Sequence, residues 1–195
     1  AGCSIEIAKT PLAGRRVFVY AGNMGVAQGM GILLDLAEKL IHRTDIGFLF
    51  VGRGSDVKKL AADAQARGLL NVLFQDEIHP DEIPGLYAQC QVGLVALDPR
   101  HKSHDSPGKF LTCMQSGLPV LASINMGNDL ACIIRHENVG RVSEDGSPDT
   151  VAQLALELID SFGNDGGYKE RCRALYSRLF GPETAVKQIV AALEK

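Results

Sequence analysis

The sequence predicts an α/β fold: a single Rossmann-like, doubly wound parallel sheet of about six strands, with helices on both faces and a helical C-terminal tail. Three observations carry that expectation. Strand-sized apolar runs alternate about six times with stretches of helical spacing. The runs are apolar throughout rather than at every second residue, which suits strands buried on both faces. Beyond residue 150 only the helical pattern continues.

Residues 16–21 (RVFVYA) form a β-branched and aromatic run that stops at Gly22. Residues 28–42 then place Ile32, Leu33, Leu36, Leu40 and Ile41 on one helical face. Residues 46–51 are a second continuous apolar strand, closed by Gly52-Arg53-Gly54. Ser55 can cap a helix that runs to Arg67 and stops at Gly68. Residues 72–74 form a short strand, and 81–90 a helix that tolerates Pro84 near its start. Residues 92–97 make a strand, followed by the polar loop 98–106. Pro107 opens a helix through Ser116, stopped by Gly117; 119–123 is a strand, 129–136 a helix and 139–142 a short strand. In 150–162, Val151, Leu154, Ala155, Leu158, Ile159 and Phe162 share one side. Residues 168–180 follow the Gly166-Gly167 break, and 183–193 close the pattern with Val186, Ile189, Val190 and Leu193 in register. Residues 1–14 read as a linker lead-in and 15–195 as one domain, without internal repeats.

Composition narrows the function. With 46% apolar and 22% charged residues, the chain can bury a core and is not disordered. Twenty basic residues against 23 acidic ones leave a net charge of −3, which argues against a protein held on nucleic acid or acidic lipid by bulk charge. A local basic site stays open. No apolar run approaches the roughly 18 residues that cross a bilayer. Five scattered cysteines, an odd number with no C-x-x-C pair, read as reduced thiols of a cytoplasmic protein rather than as a disulfide or zinc framework. The opening Ala-Gly-Cys-Ser lacks a basic and an apolar signal region, so the chain is expected to be a piece of a longer protein rather than to start with a signal peptide.

Ligands of an open parallel sheet gather beyond the carboxyl ends of its strands, and three loops there are unusual. Gly22-Asn23-Met24-Gly25-Val26-Ala27-Gln28-Gly29 is either a tight strand-to-helix turn or a phosphate-binding turn, whose glycines let backbone N–H groups approach an anion. No Walker A Gly-Lys-Ser/Thr occurs. Gly25, Gly29 and Gly31 match the G-x-x-x-G-x-G of short-chain dehydrogenases. No tyrosine, however, has a lysine four places on, and Gly52-Arg53-Gly54 stands where an acidic ribose ligand is expected. The second loop, His101 to Lys109, ends in Pro107-Gly108 at a helix start with a lysine one step inside. That is either a diphosphate clamp or an exposed loop with a solvated lysine. His101, His104 and Asp105 could hold a metal, but no second cluster supports them. The third loop, Gln75 to Pro80, either lines a base pocket or leads into a helix capped by Asp81.

The spacing of Tyr20–Gly31, Phe48–Gly54, Pro84–Leu94 and Pro107–Ala122 resembles the C-terminal domain of GT-B glycosyltransferases, family 4-like, of the bacterial O-antigen and capsule type. The most specific block is Pro107-x-Lys109-Phe110 through Met114-x-Ser116-Gly117, then Pro119-Val120-Leu121-Ala122. The resemblance implies two Rossmann-like lobes around a cleft, of which this chain is the donor-binding lobe without its acceptor-binding N-terminal partner. It implies retention of anomeric configuration, a UDP- or GDP-sugar as substrate, and no metal or other cofactor. Lys109 and Asn23 become the catalytic candidates. Gly22, Gly25, Gln28, Gly52, Arg53, Ile78, His104, Ser106, Gly108, Phe110 and Thr112 become the donor-binding candidates, with Ser106 to Phe110 offering backbone donors to the diphosphate. The acceptor is expected to be a saccharide or lipid-linked, with the full-length enzyme cytoplasmic or at the inner face of the plasma membrane.

The chain departs from the family pattern. Many relatives carry Glu-x7-Glu where His104 and Thr112 stand, the second Glu holding the ribose, and Arg and Lys where Asn23 and Gln28 stand. Charge against the diphosphate therefore rests more heavily on Lys109. Two other readings remain: a non-catalytic nucleotide-sugar-binding or assembly module, and one lobe of a GT-B-fold nucleotide-sugar epimerase.

Overall fold

The computed structural model describes residues 2–25, 29–97, 105–180 and 193, without the side chains of 105–107. Six strands form one all-parallel sheet: β1 (Arg16–Ala21), β2 (Ile46–Val51), β3 (Val72–Gln75), β4 (Val92–Ala96), β5 (Val120–Ser123) and β6 (Gly140–Ser143). Their spatial order is β3-β2-β1-β4-β5-β6. The order reverses between β1 and β4, so the carboxyl ends of those two strands flank the crevice where such sheets take ligands.

The helices are α1 (Gly31–Lys39), α2 (Val57–Ala66), α3 (Ile83–Tyr87), α4 (Asp105–Gln115), α5 (Asp129–Glu137), α6 (Pro148–Ser161) and α7 (Tyr168–Leu179). Because successive strand residues point to opposite faces, β1 sends Val17 and Val19 into one core and Phe18 and Tyr20 into the other. The first core is covered by α3, α4, α5 and α7, the second by α1, α2 and α6. This is the doubly wound arrangement the apolar strands predict. It also has the split expected of right-handed crossovers, with the helices that lead outward to β2 and β3 on one face and those that lead to β4, β5 and β6 on the other.

Differences from expectation sit at element ends. The first helix is shorter than 28–42, and residues 26–28 lie outside the described residues. The predicted 81–90 helix resolves into a 3-10 turn over Pro80–Glu82 and then α3, with His79 and Glu82 forming the cap. Asp56 rather than Ser55 stands at the start of α2, with no side-chain cap. Asn128 and Ser147 do cap α5 and α6, accepting from the N–H groups of Leu130 and Thr150. Of the predicted last helix, only Leu193 is described; it is buried in the first core.

The 1–14 segment is not a free linker. Ile5, Ile7 and Leu12 are buried in the first core. The Ile7 N–H donates to Gln89 Oε1 (2.9 Å) and Gln89 Nε2 donates to the Ile5 carbonyl (2.9 Å). The Ser4 N–H donates to Glu82 Oε1 at 2.6 Å. Burying three large aliphatic side chains is worth several kcal/mol in total, at about 1.5–3 kcal/mol each. Its apolar residues follow neither the strand nor the helix period, so the sequence alone reads there as a linker.

Candidate functional site

The carboxyl ends of β1 and β2 continue their ladder past the strands. The Gly22 N–H donates to the Val51 carbonyl (2.9 Å), the Gly52 N–H to Gln75 (3.1 Å) and the Met24 N–H to Arg53 (2.9 Å). The two turns are so close that a Cβ on Gly52, whose φ is +150°, would lie 1.9 Å from the Gly22 carbonyl oxygen. Only a residue without a side chain fits there. The result is a rigid floor of backbone beside the switch point.

Above it stands Lys109. α4 follows β4 at the carboxyl edge of the sheet, and Lys109 reaches from its second turn across to Gly22. A Cβ added to Gly22 would meet Lys109 Cε at 2.7 Å and Nζ at 3.4 Å. The ammonium also lies 5.2 Å from the centroid of the Tyr20 ring, a cation–π distance. Tyr20 is buried and its hydroxyl donates to the Asn23 carbonyl at 2.5 Å, which ties the glycine turn to the strand below.

Two adjoining cavities open here. One, of about 380 Å3, is lined by Ala21, Gly22, Asn23, Ile83, Tyr87, Gly108, Lys109 and Thr112. The other, of about 180 Å3, is lined by Ala21, Gly22, Asn23, Val51, Gly52, Arg53, Glu77, Ile78, Pro80 and Ile83. Ala21, Gly22, Asn23 and Ile83 belong to both, so a ligand seated over the glycine turn spans them. The larger cavity offers an ammonium and the amino end of α4; the smaller offers an apolar slot with a charged rim. Arg53 Nε and Glu77 Oε2 form that rim, 3.0 Å apart and mostly in solvent.

Of the residues expected from sequence, Gly22, Asn23, Gly52, Arg53, Ile78, Gly108, Lys109 and Thr112 come together around these cavities. Gln28 and His104 lie outside the described residues, and of Ser106 only the helical backbone is described. Gly25 is buried and lines neither of these two cavities. Two expectations are corrected. Phe110 is fully buried in the first core, because its place on α4 faces the sheet. A helix leaves only its first four N–H groups without an internal partner. With α4 beginning at Asp105, the backbone of Lys109 and Phe110 is therefore spent within the helix, and any donors to an anion belong to its first turn.

Thr112 has its own constraint. Its hydroxyl donates to the Gly108 carbonyl at 2.9 Å, so toward a ligand the oxygen can act as an acceptor. Tyr87 and Ile83 line the cavities without having been named as site residues in the sequence, and Glu77, Ile78 and Pro80 bring the loop expected to border a base pocket to the smaller one. Burial raises the Tyr87 phenol well above its ordinary value, so it is neutral. Among the described residues, no group of three His, Cys, Asp or Glu gathers as a metal site, and no helix is long and apolar enough to cross a membrane.

Comparison with known proteins agrees with this layout. A family model described as "Glycosyl transferases group 1" matches residues 15–161. The chain is 26% identical over 147 residues to the probable glycosyltransferase WbjE of Pseudomonas aeruginosa, covering 75% of this chain and 36% of that protein. It is 25% identical over 167 residues to O-antigen chain mannosyltransferase C of Escherichia coli, covering 86% and 43%. It therefore spans less than half the length of these relatives. The crystal structure of Anabaena HepE in complex with UDP-glucose superposes with a TM-score of 0.73 at 20% identity, over 93% of this chain and 49% of that one. At that identity the likeness speaks for the fold.

Proposed function

This chain belongs to the group 1 glycosyl transferase family, and from that premise we propose that it is the donor-binding half of a retaining glycosyltransferase. The whole protein moves a sugar from a nucleoside-diphosphate sugar to a saccharide or lipid-linked acceptor in surface polysaccharide synthesis. The work is done in the cytoplasm or at the inner membrane face. The observation that carries the reading is Lys109 Nζ held over the Gly22 turn at the switch point of the sheet.

The chemistry follows from charge. As the glycosidic bond to the diphosphate breaks, negative charge develops on the leaving oxygen. Lys109 and the amino end of α4 stabilise that charge from fixed positions, without the reorganisation that water would require. Asn23, which lines the same cavity, adds a neutral amide donor. Stabilisation of the leaving group is assigned to these groups rather than to a metal ion. The ribose lies along the larger cavity, where Thr112 accepts from one hydroxyl. The acceptor and the facing wall of the cleft belong to a second lobe, so this chain alone binds donor without turning it over.

Calorimetric titration of the chain with UDP and GDP tests the reading. Loss of one charge-assisted contact costs about 1.5–3 kcal/mol, so Lys109→Ala should weaken nucleoside-diphosphate binding roughly 10- to 100-fold. Wild-type affinity in the variant would remove Lys109 from its role, and no binding of any nucleoside diphosphate to the native chain would remove the function.

A further inference from the structure

The smaller cavity carries more information than the presence of a slot. It is lined by the apolar residues Val51, Ile78, Pro80 and Ile83, by the glycine turns at Gly22 and Gly52, and by the Arg53–Glu77 pair. At about 180 Å3 it is small beside the roughly 300–1,000 Å3 of pockets that take whole drug-sized ligands. It suits one flat heterocycle. We infer that the Arg53–Glu77 pair reads the edge of that heterocycle and selects guanine, so that the donor is a guanosine-diphosphate sugar. This rests on the donor-site reading above and adds the identity of the base.

The backbone beneath both side chains is fixed in advance. Arg53 sits on a turn whose backbone is fixed on two sides, by the Met24 N–H to Arg53 carbonyl bond and by the Gly52 N–H to Gln75 carbonyl bond. The loop carrying Glu77 is held by the cap that follows it. The Asp81 N–H donates to His79 Nδ1 (3.1 Å), the His79 N–H to Glu82 Oε2 (3.2 Å) and the Ser4 N–H to Glu82 Oε1 (2.6 Å). The two head groups meet at 3.0 Å, which sets guanidinium donors beside carboxylate acceptors along one edge of the cavity. A solvent-exposed ion pair of this kind is worth little in itself, so turning its hydrogen bonds toward a ligand costs little.

The pattern along that edge discriminates between bases. The guanine edge presents in order an acceptor (O6), a donor (N1–H) and a donor (N2–H). An arginine donor faces the first and the two oxygens of a carboxylate, which only accept, face the other two. Uracil presents acceptor, donor, acceptor, so its last carbonyl would face a carboxylate oxygen. Adenine and cytosine begin with an amino donor and would set it against the guanidinium. Only guanine satisfies all three positions.

The test is calorimetry on this chain with GDP, UDP, ADP and inosine diphosphate, which lacks the N2 amino group, for the native protein and for Glu77→Gln and Arg53→Ala. Both substituted side chains are largely exposed, so the fold is retained. Native protein should bind GDP about tenfold or more tighter than UDP, with inosine diphosphate in between. Glu77→Gln should weaken GDP about tenfold or more while leaving UDP unchanged or slightly tighter, since the amide can donate to the second uracil carbonyl, and Arg53→Ala should weaken GDP in the same direction. UDP bound as tightly as GDP, or a GDP-to-UDP ratio unchanged in Glu77→Gln, overturns the inference and leaves the donor reading in place. No binding of any of the four overturns both.

Discussion

The juxtaposition of Gly22 and Lys109 can be tested by filling the space between them. In Gly22→Ala the new Cβ would stand 2.7 Å from Lys109 Cε, about 1 Å inside the ordinary 3.5–4.0 Å contact of two carbons. Lysine stems are flexible, so the ammonium moves and the fold survives. A second cost is conformational: at φ +152° an alanine is strained by about 1–3 kcal/mol, and a domain of this size loses about 2–4 °C in Tm per kcal/mol. The expectation is a Tm lower by about 2–10 °C and a nucleoside-diphosphate affinity weaker by about five- to tenfold. The double-mutant cycle with Lys109→Ala separates the two effects. Once the lysine is gone, the added methyl meets no other atom closer than 3.8 Å, so Gly22→Ala should lower Tm as before and leave the residual affinity nearly unchanged. Equal affinity losses in both backgrounds would show that the glycine does not serve the ammonium. Gly52→Ala is the contrasting control. Its Cβ would strike a backbone oxygen that cannot swing aside, so the damage should appear in folding first.

Other expectations follow from titrating groups. Hydrogen bonds from Arg171 and then from the Gly167 N–H lower the Asp165 carboxyl to a pKa of about 2. A depressed folded-state pKa stabilises the native state above the unfolded carboxylate value near 4 and ceases to do so as pH falls through about 2. Acid unfolding of Asp165→Asn should therefore be less pH-dependent between 4 and 2 than the native curve; parallel curves would refute the assignment. Burial pushes the thiols of Cys113 and Cys172 up to about 12 and that of Cys90 up as well, whereas Cys132 is exposed. A thiol reagent at pH 8 should label Cys132 at once and Cys113 only on unfolding, and mass spectrometry showing Cys113 labelled in the native protein would contradict that core.

Strands were legible almost to the residue because their pattern is a run of apolar side chains interrupted by glycine. Ile46–Val51 begins and ends where the run does. Helix ends were less legible where no capping side chain marks them, as at Met30, and more legible after Asn128, where the helix starts at 129 as expected; after Ser147 it starts at Pro148, two residues before the expected 150. At α4 the proline is not the first helical residue: Pro107 sits in the first turn, where its missing N–H is no loss, and the helix starts two residues earlier. The glycine turn and Lys109 could be read because glycine spacing and a lysine at a helix start are local signals. Ile83 and Tyr87 could not, and the loop with Glu77 could be read only as one of two alternatives, because their part in the site depends on strand order. Only the placement of β1 between β2 and β4 brings the loop after β3 to the same crevice as α4.

The docked lead-in bears on how that crevice is held. Gln89 and Glu82, which bind the backbone of residues 4–7, belong to the segment that includes α3. The same segment sends Ile83 and Tyr87 into the cavities. Ile5 and Ile7 pack in the core that Ile78 and Ile83 adjoin. One side of this short segment is therefore wall to the candidate donor site and the other is seat to the lead-in. α3 is five residues long, too short to be stable on its own propensity. Its position is set by what packs against it. The lead-in adds three hydrogen bonds to Glu82 and Gln89, which flank α3, so residues that touch neither cavity help to hold the wall of the base slot.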